Sequence, residues 1–537
     1  MTESVSRPPM RAEKQEPLAV PSSHFDEADA VQSSARMRQA AGAVMALPAA
    51  ADVLPVDREQ YGEIQANGIQ LVADQPVSTL SIDVDTASYA NIRRMLNEGR
   101  LPPANAVRIE EMINYFDYAD ARPTDRDLPF LLHAEVAPTP WNGKTRLLRV
   151  AMQAWDVAEQ DLPPSNLVFL VDVSGSMNSA DKLPLLKQSL LLLSRRLGAD
   201  DRVSIVVYAG AAGVVLEPTP GNERARIAQA LNELSAGGST HGSAGIKLAY
   251  AKAREAFIEG GINRVIIATD GDFNVGTVDH QALLDLVEHE RRSGIALTTL
   301  GFGRGNINDH LMEQLADHGN GNYGYIDSLM EAQKVLVEQI GGTLYTVASD
   351  VKLQVEFNPA RVAEYRLIGY ENRLLAREDF NNDQVDAGDL GAGHSIVALY
   401  EIAETGSDGR RIDDLRYATT ASAPGSENHA NEYAHVRLRY KPNGERSSRL
   451  ITQPVTDQRF DARGSDDLRF AAAVAAFGQR LRGGEHLEGF GYDVIGALAR
   501  EARGDDPNGY RSDFLRLVAL ADSLTDETPQ VARAGND

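Results

Sequence analysis

The sequence predicts an α/β protein in which a doubly wound, mainly parallel sheet is inserted into a flanking β-sandwich, with additional helices. Three patterns carry that expectation. From Asn166 to about Gly342, short apolar strands alternate with helical stretches. After Thr346 the apolar residues recur at every second position. Upstream, Phe130 to Val136 and Arg146 to Met152 read as two more strands, too few to make a stable sheet alone.

The first pattern means crossover connections. Apolar strands at Leu167 to Val171, Val203 to Tyr208, Val265 to Ala268 and Ile295 to Leu300 are separated by helices such as Leu183 to Leu197 and Ala282 to Arg292. Strands apolar on both faces and joined through helices build a parallel sheet covered on both sides. The second pattern, at Val351 to Phe357, Tyr365 to Tyr370, Ser395 to Tyr400 and His435 to Tyr440, reads as antiparallel strands of a sandwich. Asp467 to Leu481 and Phe514 to Ser523 read as closing helices. Ahead of the upstream strands, Val77 to Asp83 alternates like a strand, and Tyr89 to Glu98 and Val107 to Phe116 read as helices, the first stopped by Gly99 and Pro102-Pro103.

At 537 residues the chain exceeds one hydrophobic core and is expected to hold roughly three or four units. We divide it into a tail or linker at 1–70, a helix-and-strand segment at 71–125, strands pairing with the C-terminal sandwich at 126–160, the α/β domain at 161–345, the sandwich at 346–465, helices at 466–525 and a tail at 526–537. Hydrophobic residues at 43% and charged residues at 24% are a globular composition. The net charge of −24 disfavours nucleic acid and anionic membranes, which recruit clustered Lys and Arg. No run reaches the roughly 18 apolar residues of a spanning helix. The Ala-rich stretch Ala40 to Ala51 follows polar sequence and reads as part of the tail. Without cysteine there is neither a disulfide nor a thiolate metal site.

Chemistry concentrates in three loops. Val171-Asp172-Val173-Ser174-Gly175-Ser176-Met177 follows an apolar strand, so an acid and two hydroxyls, two and four residues on, sit at its carboxyl end. Gly237-Gly238-Ser239-Thr240 offers another hydroxyl with glycines that permit close approach. Ile266-Ile267-Ala268-Thr269-Asp270-Gly271 ends a second apolar strand in an acid. Ligands of open α/β sheets gather outside the strands' carboxyl ends where strand order reverses. If the strands ending at Asp172 and Asp270 are neighbours there, the three loops converge on a hard cation that prefers oxygen ligands. A lone Asp-x-Ser-x-Ser is ordinary turn sequence; three such loops in order are not.

At these residues the chain resembles the von Willebrand factor A family and its metal-ion-dependent adhesion site. The resemblance implies strand order 3-2-1-4-5-6 and a metal held by Asp172, Ser174, Ser176, Thr240 and Asp270. By the same resemblance the serines bind directly, Thr240 directly or through water, and the two acids largely through water. It implies Mg²⁺, or Mn²⁺ or Ca²⁺, with an open position for a carboxylate from a protein partner, and recognition without catalysis. Ser78 to Tyr89, Arg108 to Phe116, and Ala392-Gly393-His394 before Ala398-Leu399-Tyr400 resemble a bacterial subfamily often labelled calcium-activated chloride channel homologues. Its members combine such a domain with an N-terminal segment and a C-terminal domain of unknown role. That resemblance implies the cell envelope or periplasm, with the cytoplasm as the alternative, since the chain has no lipobox cysteine.

Two other functions stay open from sequence. Metal-assisted hydrolysis would need a base such as Asp272 or His241; an intramolecular scaffold would fill the open position with an acid of a flanking segment. Lesser motifs read blandly. Asp83-Val84-Asp85-Thr86 is expected to supply a helix cap at Asp85 or Thr86, Gly301-Phe302-Gly303-Arg304-Gly305 a tight turn, and Trp141 and Trp155 packing anchors. The layout leads us to expect the metal face to point away from the sandwich.

Overall fold

In the computed structural model the described residues are 58–82, 85–125, 128–238, 242–271, 280–385, 387–413, 429–445 and 447–527. The chain enters through β1 (Gln70–Leu71), β2 (Val77–Ser81), α1 (Ala87–Asn97) and α2 (Ile109–Asn114), then forms the hairpin β3 (Phe130–Thr139) and β4 (Asn142–Ala154). The α/β domain follows: β5 (Ser165–Asp172), α3 (Leu183–Ser194), β6 (Arg202–Tyr208), β7 (Ala212–Pro220), α4 (Arg224–Glu233), α5 (Gly242–Glu255), β8 (Ile262–Thr269), α6 (His280–Arg291), β9 (Ala296–Phe302), α7 (Asp309–His318) and β10 (Tyr323–Ile326). It ends in α8 (Leu329–Gln333), a π-helical turn (Lys334–Glu338) and α9 (Ile340–Leu344).

The central sheet runs β10-β9-β8-β5-β6-β7. Numbered within the domain this is 3-2-1-4-5-6 read from the β7 edge, and all neighbours are parallel except β7, which is antiparallel to β6. β5 is buried along its whole length. Its odd residues Leu167, Phe169 and Val171 join Leu186, Leu190 and Leu193 of α3 on one face. Val168 and Leu170 join Ile246, Ala249 and Tyr250 of α5 and Leu283 and Val287 of α6 on the other. Each Val, Leu, Ile or Phe among them contributes about 1.5–3 kcal/mol by leaving water.

After α9 come β11 (Thr346–Phe357), β12 (Val362–Ile368), β13 (Leu390–Gly391), β14 (Ser395–Glu404), β15 (Glu432–Pro442) and β16 (Arg449–Thr456), then α10 (Asp466–Leu481), α11 (Tyr492–Glu501) and α12 (Tyr510–Glu527). One flanking sheet runs β1-β12-β14-β4-β3; the other runs β13-β11-β15-β16, with β2 also paired to β11. The upstream hairpin is thus completed by β14, with Leu148 opposite Tyr400 and Val150 opposite Ala398. Leu148, Val150 and Met152 face Leu353, Val355, Val436 and Leu438 between the sheets. The intervening Leu147 and Ala151 face α2 and the closing helices instead, beside Val397, Leu399 and the almost wholly buried α10. The fold class is therefore the expected one, an α/β domain whose chain enters and leaves through a β-sandwich.

Buried ion pairs join the flanks to the α/β domain. Arg93 of α1 contacts Asp327 and Glu331, Arg108 contacts Asp309 and Glu313, and Arg373 contacts Glu313, with the partly exposed Asp317 beside it; Arg108 also pairs with Glu111 of its own flank. Arginine suits such places because its planar fork serves several acids at once.

Three readings need correction. Residues 58–70 are not tail: the Arg58 amide donates to Gly305 O at 3.0 Å, the Gln60 amide to Ile307 O at 2.8 Å, and β1 pairs with β12. Residues 1–57 lie outside the described residues. Thr86 does precede α1, but neither it nor Asp85 caps the helix by its side chain; Asp85 accepts from the Tyr323 amide at 2.8 Å. Asp83 lies outside the described residues. Strands β7 and β10 escaped the sequence reading because both are sheet edges, where one-sided pairing tolerates Pro218 and Pro220 in β7 and a length of four residues in β10.

Candidate metal centre

Asp172 is the last residue of β5 and Asp270 follows the last residue of β8, the two adjacent strands at the point where strand order reverses. Both carboxylates are fully buried. Past Asp172 the chain stays extended through Ser174 and then makes one 3₁₀ turn at Gly175–Asn178. That turn brings the Ser174 and Ser176 hydroxyls within 3.0 Å of each other. Asp172 Oδ1 accepts from the Ser174 amide at 2.8 Å, while Oδ2 accepts from Thr269 Oγ1 at 3.1 Å and Tyr208 Oη at 3.3 Å. The acid is therefore held by its own loop and by both neighbouring strands.

The second loop is stitched to the first through its backbone. The Gly237 amide donates to Val173 O at 2.7 Å and the Gly175 amide to Gly238 O at 3.1 Å. Gly238 has φ +86°, a left-handed conformation that glycine adopts without strain. Thr240 lies two residues on, outside the described residues, as do His241 and Asp272.

The third loop holds a group that spacing rules do not reveal. Lys182 Nζ, buried, donates to Asp270 Oδ2 at 2.8 Å, and Asn306 Nδ2 donates to the same oxygen at 3.3 Å. Gly271, with φ +91°, lets the chain turn there: a Cβ would stand 2.5 Å from Ile307 Cα. The glycines after β9 have a matching reason. At Gly303, φ +69°, an added Cβ would overlap the Lys182 stem, and Gly305 receives Arg58 and Glu59. Trp141 and Trp155 are packing residues, stacked edge-on against Phe490 and Tyr345.

Burial pushes the Asp172 carboxyl up to about 6; hydrogen bonds from Ser174 oppose that shift and the nearby Asp270 adds to it. Two sunken carboxylates beside two hydroxyls are an arrangement that a cation relieves. The donor set also fits by size, because adjacent ligands on an octahedral Mg²⁺ at about 2.0–2.1 Å lie about 3 Å apart, the separation of the two serine oxygens. Among the described residues no group of three or more His, Cys, Asp or Glu could hold a metal. A centre built from the described residues therefore depends on hydroxyls.

Sheet order and loop positions define a von Willebrand factor type A domain protein, and the von Willebrand factor type A domain family matches residues 166–339, with the family described as von Willebrand factor matching 55–149. The chain belongs to the YfbK family: the description "Uncharacterized protein YfbK, C-terminal" matches residues 342–524, and the Escherichia coli K12 YfbK protein is 48% identical over 473 residues, 87% of this chain and 82% of that one. Human inter-alpha-trypsin inhibitor heavy chain H3 is 29% identical over 270 residues, 46% of this chain and 29% of its own length. Among solved structures, a von Willebrand factor type A protein from Catenulispora acidiphila aligns over 75% of this chain and 91% of its own, at 15% identity and a TM-score of 0.41.

Proposed function

We propose that this protein recognises a protein partner through a divalent cation, without catalysis. The observation that supports the reading best is the meeting of Asp172, Ser174 and Ser176 with Asp270 at the carboxyl ends of β5 and β8. Thr240 completes the proposed ligand set from the loop anchored at Gly237 and Gly238. Mg²⁺, Mn²⁺ or Ca²⁺ would supply a Lewis-acidic position to which a partner's carboxylate binds. The chain's own residues orient the hydroxyls, keep the acids buried and hold the second loop against the first.

A von Willebrand factor A domain speaks for protein interaction or adhesion in general; the dependence on metal is the finer claim. The resemblance to the subfamily labelled calcium-activated chloride channel homologues is not taken as ion conduction, and among the described residues no helix is long and apolar enough to cross a membrane. By that resemblance we place the protein in the cell envelope or periplasm, which fractionation of the native host distinguishes from the cytoplasm.

Affinity capture from the native host with the full chain, in Mg²⁺ and in chelator, tests the proposal. A partner retained in Mg²⁺, released by chelator and lost with Asp172→Ala is expected. Equal capture in all three conditions removes the metal from the mechanism, and turnover on a hydrolase substrate panel that requires Asp172 would replace recognition with catalysis.

A further inference from the structure

We infer that Lys182 is a tethered ammonium that competes with a divalent cation for Asp270 and so sets the cation affinity of the site low. The inference rests on the metal-dependent reading above and deepens it.

Several features mark the contact as built into the fold. Lys182 is buried, an unusual condition for lysine, and its Nζ reaches Asp270 Oδ2, 88 positions away, at 2.8 Å. Room for its stem exists only because residue 303 has no side chain. Lys182 stands at the N-terminal boundary of α3, where its carbonyl accepts from the Leu186 amide at 2.8 Å.

The chemistry follows from charge. Asp172 and Asp270 alone would present two negative charges to a cation. With Lys182 against Asp270 the site presents one, and a divalent cation in it carries net positive charge that the protein does not neutralise. Like charges repel more strongly in a buried site than in water. The ammonium therefore opposes the metal directly and also occupies an oxygen through which Asp270 would act on it. The same excess positive charge favours an anionic ligand on the metal, so weak cation binding and carboxylate recognition have one cause. Without metal, Lys182 keeps Asp270 from being a buried charge with no counter-ion.

Calorimetry with Mg²⁺ alone, on the full chain as wild type and as Lys182→Met, tests this. Methionine keeps most of the stem against Gly303 and removes the charge. We expect Lys182→Met to bind Mg²⁺ at least tenfold more tightly. Its thermal midpoint should be lower than wild type in chelator and rise further on adding Mg²⁺. A merely structural role for the stem would leave the affinity unchanged. Should Lys182→Met fail to fold, Lys182→Gln, which retains a donor for Asp270, carries the same expectation. Wild type binding Mg²⁺ with the neutral variants binding equally or more weakly overturns the inference and leaves the proposed function standing. Absence of binding in wild type and neutral variants alike overturns both.

Discussion

Arg93 holds Asp327 at both ends of its guanidinium, Nε to Oδ2 at 2.7 Å and Nη2 to Oδ1 at 2.5 Å, and so fastens α1 to the residue that follows β10. Both side chains are about 95% buried or more. Removing one member leaves acids in low dielectric without a counter-charge, at a cost of about 3–5 kcal/mol. Arg93→Ala should lower stability by that amount in chemical denaturation; a loss below about 1 kcal/mol would show that the pair is dispensable.

Glu110 in α2 provides a pH dependence remote from the candidate metal. Burial pushes its carboxyl up from 4.5 to about 7, Glu371 adds to the shift, and the Tyr370 amide, which donates to Oε2 at 2.9 Å, opposes it. With the folded value above the unfolded one, the folded chain takes up a proton between about pH 4.5 and 7. This group's contribution therefore makes the protein more stable as pH falls through that window and less stable above it. Glu110→Gln should stabilise at pH 8 by about 1–3 kcal/mol and lose that effect as pH falls below about 4, read from denaturant midpoints.

A trade of stability against function is expected at Asp172. Replacement by Asn keeps an acceptor for the Ser174 amide and removes a charge that is costly to bury. In chelator at pH 7, Asp172→Asn should match or exceed wild-type stability, by up to about 2 kcal/mol, while losing any Mg²⁺-induced rise in melting temperature. A variant that is both less stable in chelator and still responsive to Mg²⁺ contradicts this account.

Gly271 limits what can follow Asp270. Gly271→Ala combines a φ of +91° with a Cβ 2.5 Å from Ile307 Cα, so the loop must move. A loss of about 1–3 kcal/mol is expected, together with weaker cation binding because Asp270 moves with it. Thermal melting with and without Mg²⁺ reports both.

Asp172, Ser174, Ser176 and Asp270 were legible because strand ends and turn residues are local signals, and the sheet order brings their two strands side by side. Lys182 was not, because what makes it part of the site is a partner 88 positions away and the absence of a side chain at Gly303. Glu110 and Glu111 fall within the helix expected over Val107 to Phe116 without any sign of their burial, yet both are buried by packing that no periodicity encodes. The insertion was legible for an energetic reason, since a lone hairpin at 130–154 cannot be stable and needs a later sheet. Residues 58–70 misled because their order comes from backbone bonds to Gly305 and Ile307 and from pairing with β12, not from their own composition.

The pairing of β4 with β14 has a consequence for how the chain is made. Leu148 emerges from the ribosome long before its partner Tyr400, and the entire α/β domain is synthesised between them. At about 5–20 residues per second, the hairpin waits roughly ten seconds or more with apolar side chains on both faces and an open edge. The intervening domain closes through shorter-range contacts and can fold during that interval, drawing the two ends of the sandwich together and shrinking the loop that must be closed. Mutations that slow the α/β domain are therefore expected to expose a flank in which nothing has been altered, and to be seen first as aggregation during synthesis.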